Sequence, residues 1–192
     1  MTNFNLYQRF ADRFPENPDQ QRFAVLEDGR CYTYDHVEQV TARFAAVLVK
    51  LGVQPGDRVA AQVEKSIEAL MLYLATIRAG GVFLPLNTAY TPNEVEYFLT
   101  DAEPRVFFCD PSKAEGLAPV AEKAGAALET LGVYRNGEDR SQFGSFLLKV
   151  PEQADFQTVF RARDDLATIL YTSGTTGRSK GAMTTHDNLW TN

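Results

Sequence analysis

Apolar positions along the chain alternate between helical and strand spacing, and the alternation is sustained up to about residue 131. Phe4, Tyr7, Phe10 and Phe14 recur at helical spacing and predict a short amphipathic first helix, docked on its own domain rather than on a membrane surface. Residues 23–28 and 31–34 flank Gly29 and Arg30 and read as a hairpin, because Asp-Gly accepts a tight turn. Thr33 then caps a helix whose apolar face is Val37, Val40, Phe44, Val47, Leu48 and Leu51, and Gly52 supplies the left-handed residue that stops it. A turn at residues 54–57 leads into the apolar strand 58–64, of the kind found in mostly parallel sheets. Ser66 opens a helix that is apolar nearly all round from Ile67 to Ala79, which places it inside the domain, and Gly80-Gly81 releases the chain into the strand VFLPL. Thr91-Pro92-Asn93-Glu94 combines an N-cap, a proline at the first helical position and an acid three residues on.

Residues 105–110 read as a strand, 112–124 as a helix with Pro119 as its weak point, and AALETL as another strand. The fold class that follows is α/β, a mostly parallel sheet flanked by helices with right-handed crossovers. Between 132 and 164 the pattern dissolves into polar and turn residues, and a subdomain boundary is expected at 163/164. Residues 1–163 then form an N-terminal α/β subdomain, and residues 164–192 begin the next. In that second part, residues 165–173 and 181–186 read as strands running in opposite senses, with GTTGRSK between them.

Composition narrows the chemistry. A chain of 192 residues with 44% hydrophobic and 23% charged content can bury a sizeable core, and its 19 basic against 25 acidic residues give a net charge of −6. No Lys/Arg cluster stands out, so a nucleic acid or an anionic membrane is not the expected partner; a small molecule is. Cys31 and Cys109, with His36 and His186, show neither a disulfide framework nor metal-ligand spacing. No signal segment opens the chain and no apolar run is long enough to span a bilayer, so the expected location is cytoplasmic. Nothing in the pattern sets an oligomeric state.

The segment 172–180 carries the chemistry. Gly174 and Gly177 accept positive φ, so that backbone N–H groups can converge on one anion without a Cβ in the way. Thr172, Ser173, Thr175, Thr176 and Ser179 add hydroxyl donors, and Lys180 brings a full charge on a flexible stem, suited to a triphosphate or a departing pyrophosphate. A Walker A loop is excluded, since it needs glycine directly before the lysine where Ser179 stands here. On composition alone, a ligand-free Gly/Ser/Thr hairpin remains the alternative. His186 reads as ending its strand or packing near the loop, His36 as solvated on its helix and Cys109 as a small core hydrophobe. Asp164 and Asp165 read as turn or cap residues without an evident partner.

The ordered sequence YTSGTTGRSKGA, residues 171–182, resembles the signature loop of the adenylate-forming superfamily of acyl-CoA synthetases, luciferases and peptide-synthetase adenylation domains. The stretch RAGGVFLPLNTAYTPNEVEYFLTDAEPRVFFCD, residues 78–110, is similar to a second early motif of that superfamily, and within it the wording looks most like malonyl-CoA synthetases. The resemblance implies the N-terminal part of the large domain of an enzyme that joins a carboxylate to ATP and passes the acyl group to CoA. By position, Thr172, Ser173, Gly174, Thr175, Thr176, Gly177 and Lys180 would line the β- and γ-phosphates, with Mg2+ bridging the same oxygens; no residue here is expected to be catalytic itself or to bind metal directly. The superfamily's adenine, ribose, magnesium and hinge motifs and its C-terminal lysine have no match in this chain. It is therefore expected to be a front piece, inactive alone, that ends within a helix at Asn192. Two other readings stay open: a non-catalytic α/β module, and an adenylating enzyme whose acceptor is a carrier-protein thiol or whose adenylate is oxidised.

Overall fold

The computed structural model describes residues 2–134, 143–172 and 179–192. In chain order they form α1 (Leu6–Ala11), β1 (Arg22–Val25), β2 (Cys31–Thr33), α2 (Tyr34–Lys50), β3 (Arg58–Gln62), α3 (Ile67–Arg78), β4 (Val82–Pro85) and α4 (Pro92–Ala102). There follow β5 (Val106–Cys109), a 3-10 turn (Pro111–Lys113), α5 (Ala114–Lys123), β6 (Ala127–Thr130), α6 (Ser145–Lys149), β7 (Leu166–Thr172), β8 (Lys180–Thr185) and α7 (His186–Thr191).

β1 and β2 make the small antiparallel hairpin, and the other six strands form one sheet in the order β6-β5-β3-β4-β7-β8. Neighbours in it are parallel except β7 and β8. The central strands β3, β4 and β5 are apolar on both sides because both faces of the sheet are covered there. Val59, Ala61, Phe83, Val106 and Phe108 point into a core shared with α2, α3 and α6. Their sequence neighbours Ala60, Leu84, Phe107 and Cys109 point into a second core shared with α4 and α5. The period of two along each strand thus divides one sheet between two cores.

From β3 the chain passes to β4 on one side, and from β4 it crosses back over β3 to β5. The order therefore reverses between β3 and β4, and open α/β sheets bind ligands at the carboxyl ends of their strands beside such a reversal. A depression of about 660 Å³ lies there, lined by Ala61, Lys65, Phe83, Leu86, Asn87 and Thr88 among others.

The expected starts of the helices are present as hydrogen bonds. Ser66 Oγ accepts from Ala69 N at 3.1 Å, and Thr33 Oγ1 accepts from His36 N at 3.2 Å. His36 returns the favour, its Nδ1 accepting from Thr33 N at 3.1 Å, so its ring completes a capping box while remaining exposed, as expected. Gly52 has φ +90° at the end of α2. Pro119 lies inside α5 without breaking it; the 3-10 turn at 111–113 takes up the first part of the expected helix. α1 docks on its own domain, with Tyr7 1% exposed.

Of the stretch from 132 to 164, the described residues 132–134 and 143–164 are largely irregular, but they contain α6, whose five residues are too few to show a helical period. Phe146 on α6 stands edge-on between Phe44 and Phe108, with ring centroids 5.0 and 4.9 Å away. Residues 156–161 strap the end of α3. Arg78, 4% exposed, donates to Phe156 O and pairs with Glu38, while Tyr7 Oη and Thr41 Oγ1 lie 3.1 and 2.9 Å from its Nη1. Buried Asn5 closes the arrangement by donating to Ile77 O at 2.7 Å and Val159 O at 2.9 Å.

Candidate phosphate-binding site

β7 adds to β4 in parallel register, Phe83 opposite Thr168, so its carboxyl end finishes at the same edge of the sheet as the β3/β4 reversal. β8 returns antiparallel, and the last register pair is Thr172 opposite Lys180. Directly opposed residues of an antiparallel pair share one face with Cβ atoms about 5 Å apart. A hydroxyl and an ammonium, both exposed, therefore flank residues 173–179 at the carboxyl edge of the sheet. The arrangement of strands flanking the segment is the one expected. Ser173, Gly174, Thr175, Thr176 and Gly177 lie outside the described residues. The register brings Thr172 and Lys180 together.

α4 forms a shoulder against the base of this hairpin. Its capping box is formed: Thr91 N donates to Glu94 Oε2 at 2.8 Å and Thr91 Oγ1 accepts from Glu94 N at 3.4 Å. The Thr91 backbone N–H holds the Glu94 carboxyl below its usual range. From this helix Tyr97 Oη donates to Ser179 O at 3.0 Å, and the Asp101 carboxylate accepts from Tyr171 Oη. Phe98 packs on the Tyr171 ring with centroids 4.6 Å apart. Burial first, and then the Asp101 carboxylate, raise the Tyr171 phenol above its usual range, so it stays a neutral donor. Opposite Tyr171 stands Gly181, where an added Cβ would come 2.9 Å from Ile169 Cγ2 and 3.6 Å from the Tyr171 ring. The glycine leaves that ring room to lie across the strand pair. Tyr97, Asp101 and Tyr171 were not legible as site residues. The one available signal was that Tyr97 and Asp101 are four apart on a firmly capped helix and so share a face.

His186 was expected to end its strand or pack near the loop, but β8 stops at Thr185 and His186 is the first residue of α7, at the far end of that strand from the loop. It is fully buried, its Nδ1 accepting from Leu6 N at 3.0 Å, and burial followed by the nearby Arg161 pushes its pKa down to about 4. It is a neutral anchor for the start of α1. Cys109 is fully buried with its thiol pushed up to about 11 by burial, as a core residue should be. Asp165 has the expected turn role, accepting from Ala162 N at 2.8 Å, and it also has a partner, Arg161 Nε at 3.1 Å. Among the described residues no three His, Cys, Asp or Glu side chains converge as metal ligands, and no helix is long and apolar enough to cross a membrane.

The comparisons with known proteins agree with this fold. Residues 8–192 match the family model for AMP-binding enzymes. MatB from Rhodopseudomonas palustris superposes with a TM-score of 0.89 at 50% identity in its apo crystal structure, over 99% of this chain and 36% of that one. Its ATP-bound crystal structure superposes equally well at 51% identity. A 3-oxocholest-4-en-26-oate--CoA ligase from Rhodococcus rhodochrous is 28% identical over 97% of this chain and 33% of its own length. Tyrocidine synthase 3 from Brevibacillus parabrevis is 30% identical over 99% of this chain and 3% of its own length. The chain thus spans about a third or less of each of these relatives. With a mostly parallel sheet flanked by helices and a family match over nearly its whole length, the chain belongs to the AMP-binding enzyme family of adenylate-forming enzymes.

Proposed function

We propose that this chain supplies the polyphosphate grip of an ATP-dependent carboxylic acid:CoA ligase acting on malonate or methylmalonate. The observation that carries the proposal is the Thr172–Lys180 register pair, which bounds the sequence SGTTGRS at the edge where such sheets bind ligands. The acid is read from the likeness of residues 78–110 and 171–182 to malonyl-CoA synthetases, and the 50% identity to MatB supports it.

In the first half-reaction a carboxylate oxygen of the acid bonds to the α-phosphorus of ATP, and the bond to pyrophosphate breaks. Charge moves onto the leaving group, so donors already fixed in place lower the barrier without solvent reorganisation. Thr172 would offer its hydroxyl and Lys180 its ammonium from opposite strands, with Ser173, Gly174, Thr175, Thr176 and Gly177 between them. Both ends of the grip rest on a hydrogen-bonded strand pair, which suits a group that must not move as charge develops. Mg2+, when bound, would neutralise phosphate charge, held mainly by the phosphate oxygens. In the second half-reaction the thiol sulfur of CoA bonds to the acyl carbon, its proton is lost and AMP leaves.

A carrier-protein thiol as acceptor is the second reading, favoured by the likeness to a tyrocidine synthase. Part of the proposal is that residues 164–192 begin a further subdomain, although β7 hydrogen-bonds to β4. Cytoplasmic location is proposed too, in keeping with the free thiols of Cys31 and Cys109. The test is acid-dependent exchange of labelled pyrophosphate into ATP by the complete polypeptide that its gene encodes. Malonate and methylmalonate should support exchange above other short acids, and CoA should capture the adenylate; failure of every acid to support exchange refutes the ligase reading. Calorimetry of residues 1–192 with MgATP separates the remaining alternative: a non-catalytic module binds weakly or not at all.

A further inference from the structure

Both feet of the loop are gripped from one helix face. Tyr97 and Asp101 lie one turn apart on α4. Tyr97 reaches the Ser179 carbonyl on the returning side, and Asp101 takes the Tyr171 hydroxyl on the outgoing side. Ser179 C=O and Lys180 N belong to the same planar peptide, so a hydrogen bond to that carbonyl also orients the backbone from which the Lys180 side chain departs. Tyr171 likewise sits directly before Thr172, and its ring is wedged between Phe98 at 4.6 Å and Tyr97 at 6.4 Å. The helix itself is seated by Val95, Phe98 and Leu99 in the second core and fixed at its start by the Thr91–Glu94 box. A rigid, separately anchored element thus sets the spacing between the hydroxyl and the ammonium that flank residues 173–179.

We infer that Tyr97 and Asp101 are positioning residues for the polyphosphate grip: they hold Lys180 and Thr172 at the separation the departing pyrophosphate requires, without touching it. The inference rests on the reading of the loop as a phosphate binder. It explains why polar contacts are kept at an aromatic cluster that packing alone could hold together. A structural role would cost stability; a positioning role costs the step in which charge forms on pyrophosphate and spares the step in which CoA attacks a finished adenylate.

The experiment uses the complete polypeptide and the variants Tyr97→Phe, Asp101→Ala, Asp101→Asn and Lys180→Ala, with pyrophosphate exchange and CoA capture of preformed acyl-adenylate measured separately. Tyr97→Phe keeps the ring and removes only the donor; exchange should fall by roughly three- to tenfold, the worth of one neutral hydrogen bond, with a thermal midpoint close to the parent's and capture unchanged. Asp101→Ala should behave similarly, and Asp101→Asn, which retains an acceptor for Tyr171, should recover most of the loss. Once Lys180 is Ala, adding Tyr97→Phe should cost little more, because the group it positions is gone. Equal losses in exchange and capture, or full additivity with Lys180→Ala, overturn the inference while leaving the loop reading intact. Unchanged exchange in Lys180→Ala itself instead refutes the loop reading.

Discussion

Lys180 stands exposed opposite Thr172, with no ion-pair partner among the described residues, so its charge is open to a ligand and not spent on the fold. Lys180→Ala should therefore leave the unfolding midpoint within about 0.5 kcal/mol of the parent, as for an ordinary surface change. Pyrophosphate exchange should drop by roughly a hundredfold, the usual cost of losing one preorganised charge-stabilising group, and adenylate capture by CoA should barely change. Half-reaction kinetics check this; a comparable loss in capture would show that the ammonium faces something other than pyrophosphate. His186 presents the opposite case, a buried group whose chemistry belongs to the fold. Its folded pKa of about 4 lies below the unfolded value of about 6.5, so between these pH values the unfolded chain takes up a proton that the folded chain refuses. Its contribution to stability is full above about pH 6.5 and is lost as pH falls towards 4. His186→Gln cannot titrate, and its amide oxygen can still accept from Leu6 N. Comparing urea midpoints at pH 7.5 and 4.5, the parent should lose roughly 2 kcal/mol more than the variant; parallel losses would mean that burial, with Arg161 beside it, does not hold the ring neutral.

Elements show which parts of the molecule a sequence can announce. α2, α3 and α4 could be read with their caps, because Thr33, Ser66 and Thr91 bond to amides only three residues away and their apolar faces repeat over several turns. β7 and β8 were legible as opposed strands for a similar local reason. What stayed hidden depends on pairs far apart in the chain: Tyr97 with Ser179, Asp101 with Tyr171, Arg78 with Glu38, and His186 with Leu6. A helix face can be inferred from spacing, but the strand it meets is set only by the sheet order. α6 was missed for another reason. It is held by tertiary contacts, with Ser145 Oγ donating to Glu129 and accepting from Thr130 N, and Phe146 wedged between two rings. Gly144 permits that docking: at φ +120° an added Cβ would lie 2.1 Å from the Thr130 carbonyl oxygen, a backbone atom that cannot swing away. Gly144→Ala should thus cost about 3 kcal/mol through strain and displaced packing. Chemical denaturation checks the value, and a cost below about 1 kcal/mol would mean that α6 can dock another way.

Across the whole molecule, one sheet separates two cores that carry different responsibilities. Phe107 and Phe108 are adjacent on β5 and both fully buried, yet Phe108 meets α2 and α6 through Phe146, whereas Phe107 shares its core with Val95, Phe98 and Leu99 of α4. By size and burial they should be worth the same to folding, and replacing either with Leu should cost roughly 1–2 kcal/mol. Both losses should appear in one unfolding transition, because strands β3, β4 and β5 contribute side chains to both cores and neither can dissolve while the other stays intact. Function should distinguish them. Only the Phe107 side of the sheet seats the helix that grips Tyr171 and Ser179, so Phe107→Leu should raise the MgATP requirement of pyrophosphate exchange several-fold while Phe108→Leu, at matched stability, leaves it near the parent's. Measuring exchange for both variants well below their melting temperatures separates the two effects. If both impair exchange alike, the loop responds to the stability of the sheet as a whole, and α4 has no privileged hold on it.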